Sequence, residues 1–170
     1  MSISRPVTRR RLLAIGTSLA SAALLAGCGF KLRGADSLPA LPPLSLEGDT
    51  TSALARSLEA QLSRQGTQVA GDAPWRVTLS TPTVENRAIG SEGRASREHE
   101  LTMRVTVSVQ QRANDAYALN NEAIATSTRI RVNDDDLLNR QSLLEEATQT
   151  LARRLAERII ERLGRLEAPA

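Results

Sequence analysis

The sequence predicts an α+β fold: a two-layer sandwich in which two helices pack on one face of a mostly antiparallel four-stranded sheet. Two observations predict it. Leucines recur at helical spacing in two places, near residue 58 and again towards the end of the chain. Between them lie runs in which apolar and polar residues alternate strictly. A helical period buries one stripe and a period of two buries one sheet face, so each needs the other as cover.

The elements follow in order. Leu44-Ser45-Leu46 suits a short first strand. Asp49, Thr50 and Thr51 are N-cap candidates for a helix over about residues 51–65. Leu54, Leu58 and Leu62, with Ala55 beside them, form its apolar stripe, and Gly66 stands where a helix ends in the left-handed conformation. Trp75, Val77 and Leu79 then alternate with Arg76, Thr78 and Ser80, and Pro82 implies an edge or an irregularity. Arg87 to Ser96 is glycine-rich and charged, and is expected to form a loop or loose hairpin. Leu101, Met103, Val105, Val107 and Val109 alternate with polar residues, the clearest strand in the chain. Asn114-Asp115 marks a turn. Ile124, Thr126, Thr128, Ile130 and Val132 share one face of a further strand. Asn133 to Asp136 ends the sheet and offers caps and negative charge to a helix start. In the last helix Leu144, Ala147, Leu151, Leu155, Ile159, Leu163 and Leu166 trace one face.

The start of the chain predicts export. Arg5, Arg9, Arg10 and Arg11 precede an uncharged apolar run from Leu12 to Ala26. That run suits a signal peptide and falls short of the roughly 20 residues a spanning helix needs. It ends in Leu25-Ala26-Gly27-Cys28, which resembles a lipobox. Residues 1–27 are therefore expected to be a removed lipoprotein signal. Cys28 is expected to become an S-diacylglycerol and N-palmitoyl cysteine, since several acyl chains anchor stably where one is marginal. Thr8 to Leu13 also resembles a twin-arginine export motif, so the export route stays open. Residues 28–43, with Pro39, Pro42 and Pro43, are expected to form anchor and tether, and residues 44–170 a single domain. Gly29 lacks the acidic character of an inner-membrane retention signal, which favours the outer membrane.

The basic balance belongs to export. Without the four arginines of residues 1–27, the 22 basic residues fall to 18 against 19 acidic ones, a net charge near −1. Nothing in that balance suggests nucleic acid. Cys28 is the only cysteine, which excludes an intramolecular disulfide. His99 is the only histidine, and no P-loop, G-x-G-x-x-G or G-x-S-x-G occurs. His99-Glu100 opens like a zinc-protease motif, but Met103 stands where the second histidine belongs. His99 is expected to pack near a strand start. The acidic run at 133–136 lacks the spacing of a calcium loop. The expectation is a non-enzymatic protein with no cofactor and no metal.

Three stretches carry a family resemblance. Cys28-Gly29-Phe30-Lys31-Leu32-Arg33-Gly34 resembles the mature start of the LPS-assembly lipoprotein LptE family. Glu98 to Met103, with the alternating valines after it, is similar to the family's central strand. Leu137 to Glu146 looks like its closing segment. The resemblance implies a plug inside the β-barrel LptD, which aids barrel assembly and binds lipopolysaccharide at the outer membrane. It also implies lipopolysaccharide contacts at basic residues, for which Arg94 or Arg97 and Arg140 are the nearest matches. The alternative is a general envelope scaffold lipoprotein with a different protein partner.

Overall fold

The structure, a computed structural model, describes residues 41–90, 96–133 and 136–166. Its elements run β1 (Leu44–Gly48), α1 (Ala53–Arg64), β2 (Trp75–Leu79), β3 (Thr83–Ile89), β4 (Ser96–Gln111), β5 (Tyr117–Asn133) and α2 (Leu137–Leu163). The predicted α+β class holds, with five strand segments where four were expected.

The sheet is organised around β4. One edge of β4 pairs antiparallel along β5. The other edge pairs first with β3 and then with β2, also antiparallel. β1 lies outside β2 and is parallel to it, Leu44 beside Trp75 and Gly48 beside Leu79. Thus β2 and β3 follow one another along the same edge. Between the pairs Leu79–Val107 and Thr83–Arg104 the outer chain carries one extra residue, a bulge at Pro82, which has no N–H to give the ladder.

Both helices cover the same face. Leu54, Ala55, Leu58 and Leu62 of α1 join Leu151, Leu155, Ile159 and Ile160 of α2 over Val77, Leu79, Leu101, Met103, Val105, Val107 and Val109, all in one buried cluster. Ala152 and Ala156 widen the stripe on α2 beyond the predicted leucines. The helices are tied by the Gln61 amide, which donates to the Arg153 carbonyl at 3.0 Å. Deleting a buried leucine such as Leu155 costs on the order of 2–5 kcal/mol.

Local chemistry sets the element ends. The Ser52 side chain accepts from the Ala55 N–H and caps α1, while Asp49 Oδ1 accepts from the N–H groups of Thr51 and Ser52. Gly66 takes φ +76° just beyond the helix. Gly48 takes φ +84° where β1 meets β2, and a Cβ there would lie 2.1 Å from the Leu79 carbonyl oxygen. Asp136 caps α2, its Oδ1 accepting from the Asn139 N–H at 3.2 Å.

Two expectations are corrected. The segment given to a loop begins as strand β3, and residues 91–95 lie outside the described residues. Its residues face water on both sides, so no apolar alternation marks it. β5 starts at Tyr117, earlier than expected, whereas α2 starts at Leu137, after the 133–136 run as expected. A register shift of the β4–β5 ladder separates Leu119 from Ile124, so the buried positions change parity.

Candidate functional site

The uncovered sheet face is polar throughout. On β4 it presents Glu98, Glu100, Thr102, Arg104, Thr106, Ser108 and Gln110, the residues between the buried ones. Opposite them on β5 stand Arg131, Arg129, Ser127, Ala125 and Ala123. Charges of opposite sign meet across the strands: Arg87, Glu100 and Arg129 form one row, and Glu98 faces Arg131. Arg129 Nε reaches Glu100 at 3.4 Å. In the middle of the face the exposed Arg104 stands among small side chains, Thr102, Thr106, Ser127, Ala123 and Ala125.

At the β1 end the same face closes in a charged network. Glu47 forms ion pairs with Arg76, whose Nε lies 3.1 Å away, and with Arg112, whose Nη2 lies 3.5 Å away. Arg76 also donates to Gln110 Oε1 at 3.1 Å. Arg112 further donates to the carbonyls of Gly71 (2.8 Å) and Ala73 (3.1 Å) and to Ser45 Oγ (3.3 Å). One guanidinium thereby holds the loop before β2 against β1.

α2 lays an arginine stripe along β5. Arg162 makes a two-pronged bond to Glu122, both contacts at 2.8 Å. This hydrogen bond, helped by the opposite charge, lowers the Glu122 pKa and raises that of Arg162; desolvation opposes both shifts. Arg158 donates to the Ala125 carbonyl at 2.6 Å, and Arg154 to Thr128 Oγ1 at 3.5 Å. The i, i+4, i+8 spacing of these arginines is visible in the sequence; their strand partners, 26 to 40 residues away, are not.

Two of the three arginines nominated from sequence, Arg97 and Arg140, fall at one end of the sheet. Arg97 is the second residue of β4 and pairs with Val132, the penultimate residue of β5. That register puts it on the helix side of the sheet. Arg140 is the fourth residue of α2, which starts directly after β5. Both are half-buried. Arg140 also borders an open depression of about 620 Å³, together with Gln141, Leu144, Glu145, Thr148 and Gln149. Arg94 and Cys28 lie outside the described residues, as do Asp134 and Asp135. His99 is only 6% exposed, and its Nδ1 lies 2.8 Å from Asn86 Oδ1, a packed position in β4 as expected.

Among the described residues, no three His, Cys, Asp or Glu side chains are grouped to hold a metal ion. No described helix is long and apolar enough to cross a membrane.

Comparison with known proteins decides the family. The family model "LptE: Lipopolysaccharide-assembly" matches residues 39–163. The chain belongs to the LptE family. Among curated LptE relatives, the LPS-assembly lipoproteins LptE of Yersinia pestis (strain Pestoides F) and Yersinia pseudotuberculosis (strain IP 31758) are each 31% identical over 160 aligned positions, covering 86% of this chain and 76% of the relative. Solved structures share the LptE-like fold. A minor lipoprotein from Acinetobacter baumannii superposes with a TM-score of 0.62 at 16% identity, over 74% of this chain and 92% of that one. A lipoprotein B from Nitrosomonas europaea does so with 0.62 at 21% identity, over 80% and 90%.

Proposed function

We propose that this chain is a non-enzymatic lipoprotein of lipopolysaccharide assembly, working with a β-barrel of the LptD type in the outer membrane. The observation that carries the reading is family membership over residues 39–163, with relatives named for LPS assembly. Cys28 carries the diacylglycerol and palmitoyl groups and holds the protein on the periplasmic side. Residues 28–43 serve as tether and residues 44–170 as the working domain. The domain plugs the barrel, aids its assembly and binds lipopolysaccharide on its way to the outer leaflet.

The geometry is compatible with a plug. Large barrels have polar interiors. This domain would offer such a wall a polar and charged sheet face on one side and charged helix surfaces on the other. Arg97 and Arg140, together with Arg94, are the residues proposed to take lipopolysaccharide phosphates. A planar guanidinium matches phosphate oxygens two at a time. The placement of Arg97 and Arg140 at one end would let a single headgroup bridge strand and helix.

Affinity purification of the tagged full-length protein from detergent-solubilised outer membranes tests the reading. A barrel of the LptD type should co-purify in a one-to-one ratio. Recovery of an unrelated partner in its place would transfer the assignment to a general envelope scaffold.

A further inference from the structure

The two long edges of this sheet are treated differently. An open strand edge is a template for another strand, and natural sheets usually blunt it. The β5 edge is blunted: Arg158 occupies the Ala125 carbonyl, and Arg154 and Arg162 bind side chains beside it. The β3 edge is not. Among the described residues β3 pairs with β4 alone, since β1 runs beside β2 and ends at Gly48. Thr83 to Ala88 are exposed, and Val84 is an apolar side chain left 43% open. The strand contains neither lysine nor proline.

Its sequence, Thr-Val-Glu-Asn-Arg-Ala-Ile, is complementary to itself when run antiparallel. We propose that β3 is a docking edge for a second copy of this chain, the two strands pairing antiparallel about a two-fold axis at Asn86. In that register Glu85 faces the partner's Arg87, and Arg87 faces the partner's Glu85. Val84 meets the partner's Ala88, and Thr83 meets the partner's Ile89. Neighbouring registers fail: an axis at Glu85 or at Arg87 sets like charges directly opposite, which destabilises a pair of strands. An axis between residues leaves the charges unmatched and puts Val84 or Ala88 against a charged side chain.

The pairing also extends a pattern already present in each chain. Arg129, Glu100 and Arg87 lie in one cross-strand row of alternating sign. The partner's Glu85 continues that row as its fourth member. On the other sheet face, Asn86 of each copy has its Oδ1 at His99 Nδ1, so its amide oxygen is already engaged within its own chain. The proposal concerns the free chain and does not depend on the barrel assignment.

Sedimentation velocity of the full-length protein in detergent, over a concentration series, tests it. The wild type should dimerise. Glu85→Arg and Arg87→Glu each place like charges opposite at two points of the pair, and each should weaken the dimer by about tenfold or more. Mixing these two variants should restore a dimer, and Glu85→Arg combined with Arg87→Glu in one chain should behave as wild type. Far-UV circular dichroism establishes that each variant is folded. A wild type that stays monomeric throughout overturns the proposal. So does a dimer insensitive to either single variant, or a mixture that fails to recover.

Discussion

Gly48 offers the sharpest test of how the chain enters its sheet. Two separate costs attend Gly48→Ala. The residue sits at φ +84°, where an L side chain pays roughly 1–2 kcal/mol. The new Cβ would also stand 2.1 Å from the Leu79 carbonyl oxygen, a contact that only backbone movement can relieve. That carbonyl accepts the Asp49 N–H at 3.0 Å, so moving it breaks a bond and strands a half-buried donor, for about 1–3 kcal/mol more. The sum is about 2–5 kcal/mol, or a fall in Tm on the order of 10 °C for a domain of this size. Gly66→Ala separates the two costs, because φ is +76° but nothing lies within 4 Å of the new Cβ; it should cost about 1 kcal/mol. Gly71→Ala, with ordinary φ and open space, should change stability by less than about 0.5 kcal/mol. Urea unfolding followed by circular dichroism measures all three. If Gly48→Ala costs no more than Gly66→Ala, the close approach of β1 to β2 is not what fixes this junction.

Three further outcomes follow from the geometry. Arg97→Glu together with Arg140→Glu removes two charge-assisted contacts and should weaken lipopolysaccharide capture in a pull-down by tenfold or more, on about 1.5–3 kcal/mol per contact; undiminished capture by a folded double variant would count against the proposed headgroup site. The Glu122 pKa is depressed by Arg162, so its contribution is present above the ordinary carboxylate value of about 4.3 and is lost as pH falls through the lower folded value. Melting curves of wild type and Glu122→Gln should therefore differ at neutral pH and converge as pH falls below the ordinary carboxylate range, whereas a constant gap would show that the ion pair is not the cause. Arg112→Ala frees two loop carbonyls and should cost about 1 kcal/mol, with faster hydrogen exchange confined to residues near 71–74 and β1; uniform exchange across the domain would refute that local role.

What the sequence revealed, and what it hid, has a physical pattern. α1 is legible because Leu54, Leu58 and Leu62 face one core and Gly66 ends it; its N-cap is Ser52, one residue beyond the candidates Asp49, Thr50 and Thr51, and Asp49 instead supports the turn before it. β4 is legible because one face is fully dry from Leu101 to Val109. β3 is illegible because it buries nothing; it is a strand only because β4 is long enough to offer it a ladder. The start of β5 is hidden because Asn121 takes φ 51° and its N–H bonds to Ser108 Oγ, a local kink that breaks the alternation. The first turn of α2 escapes a periodicity argument because Leu138 is 82% exposed. At the site, Arg97 and Arg140 were nominated by resemblance, and the register of β4 with β5 is what brings them to one end. The Arg112 and Arg162 networks join residues far apart in the chain, and only the fold reveals them.

The central claim is that this domain sits inside a barrel. Photo-crosslinking in the native envelope tests it most directly, with the reactive group placed at Arg104 on the open sheet face or at Glu157 on the opposite, helical side, both exposed. A plug is surrounded by its partner, so both positions should give adducts with the same LptD-type barrel. Adducts from one side only, or with different proteins from the two sides, would contradict the account.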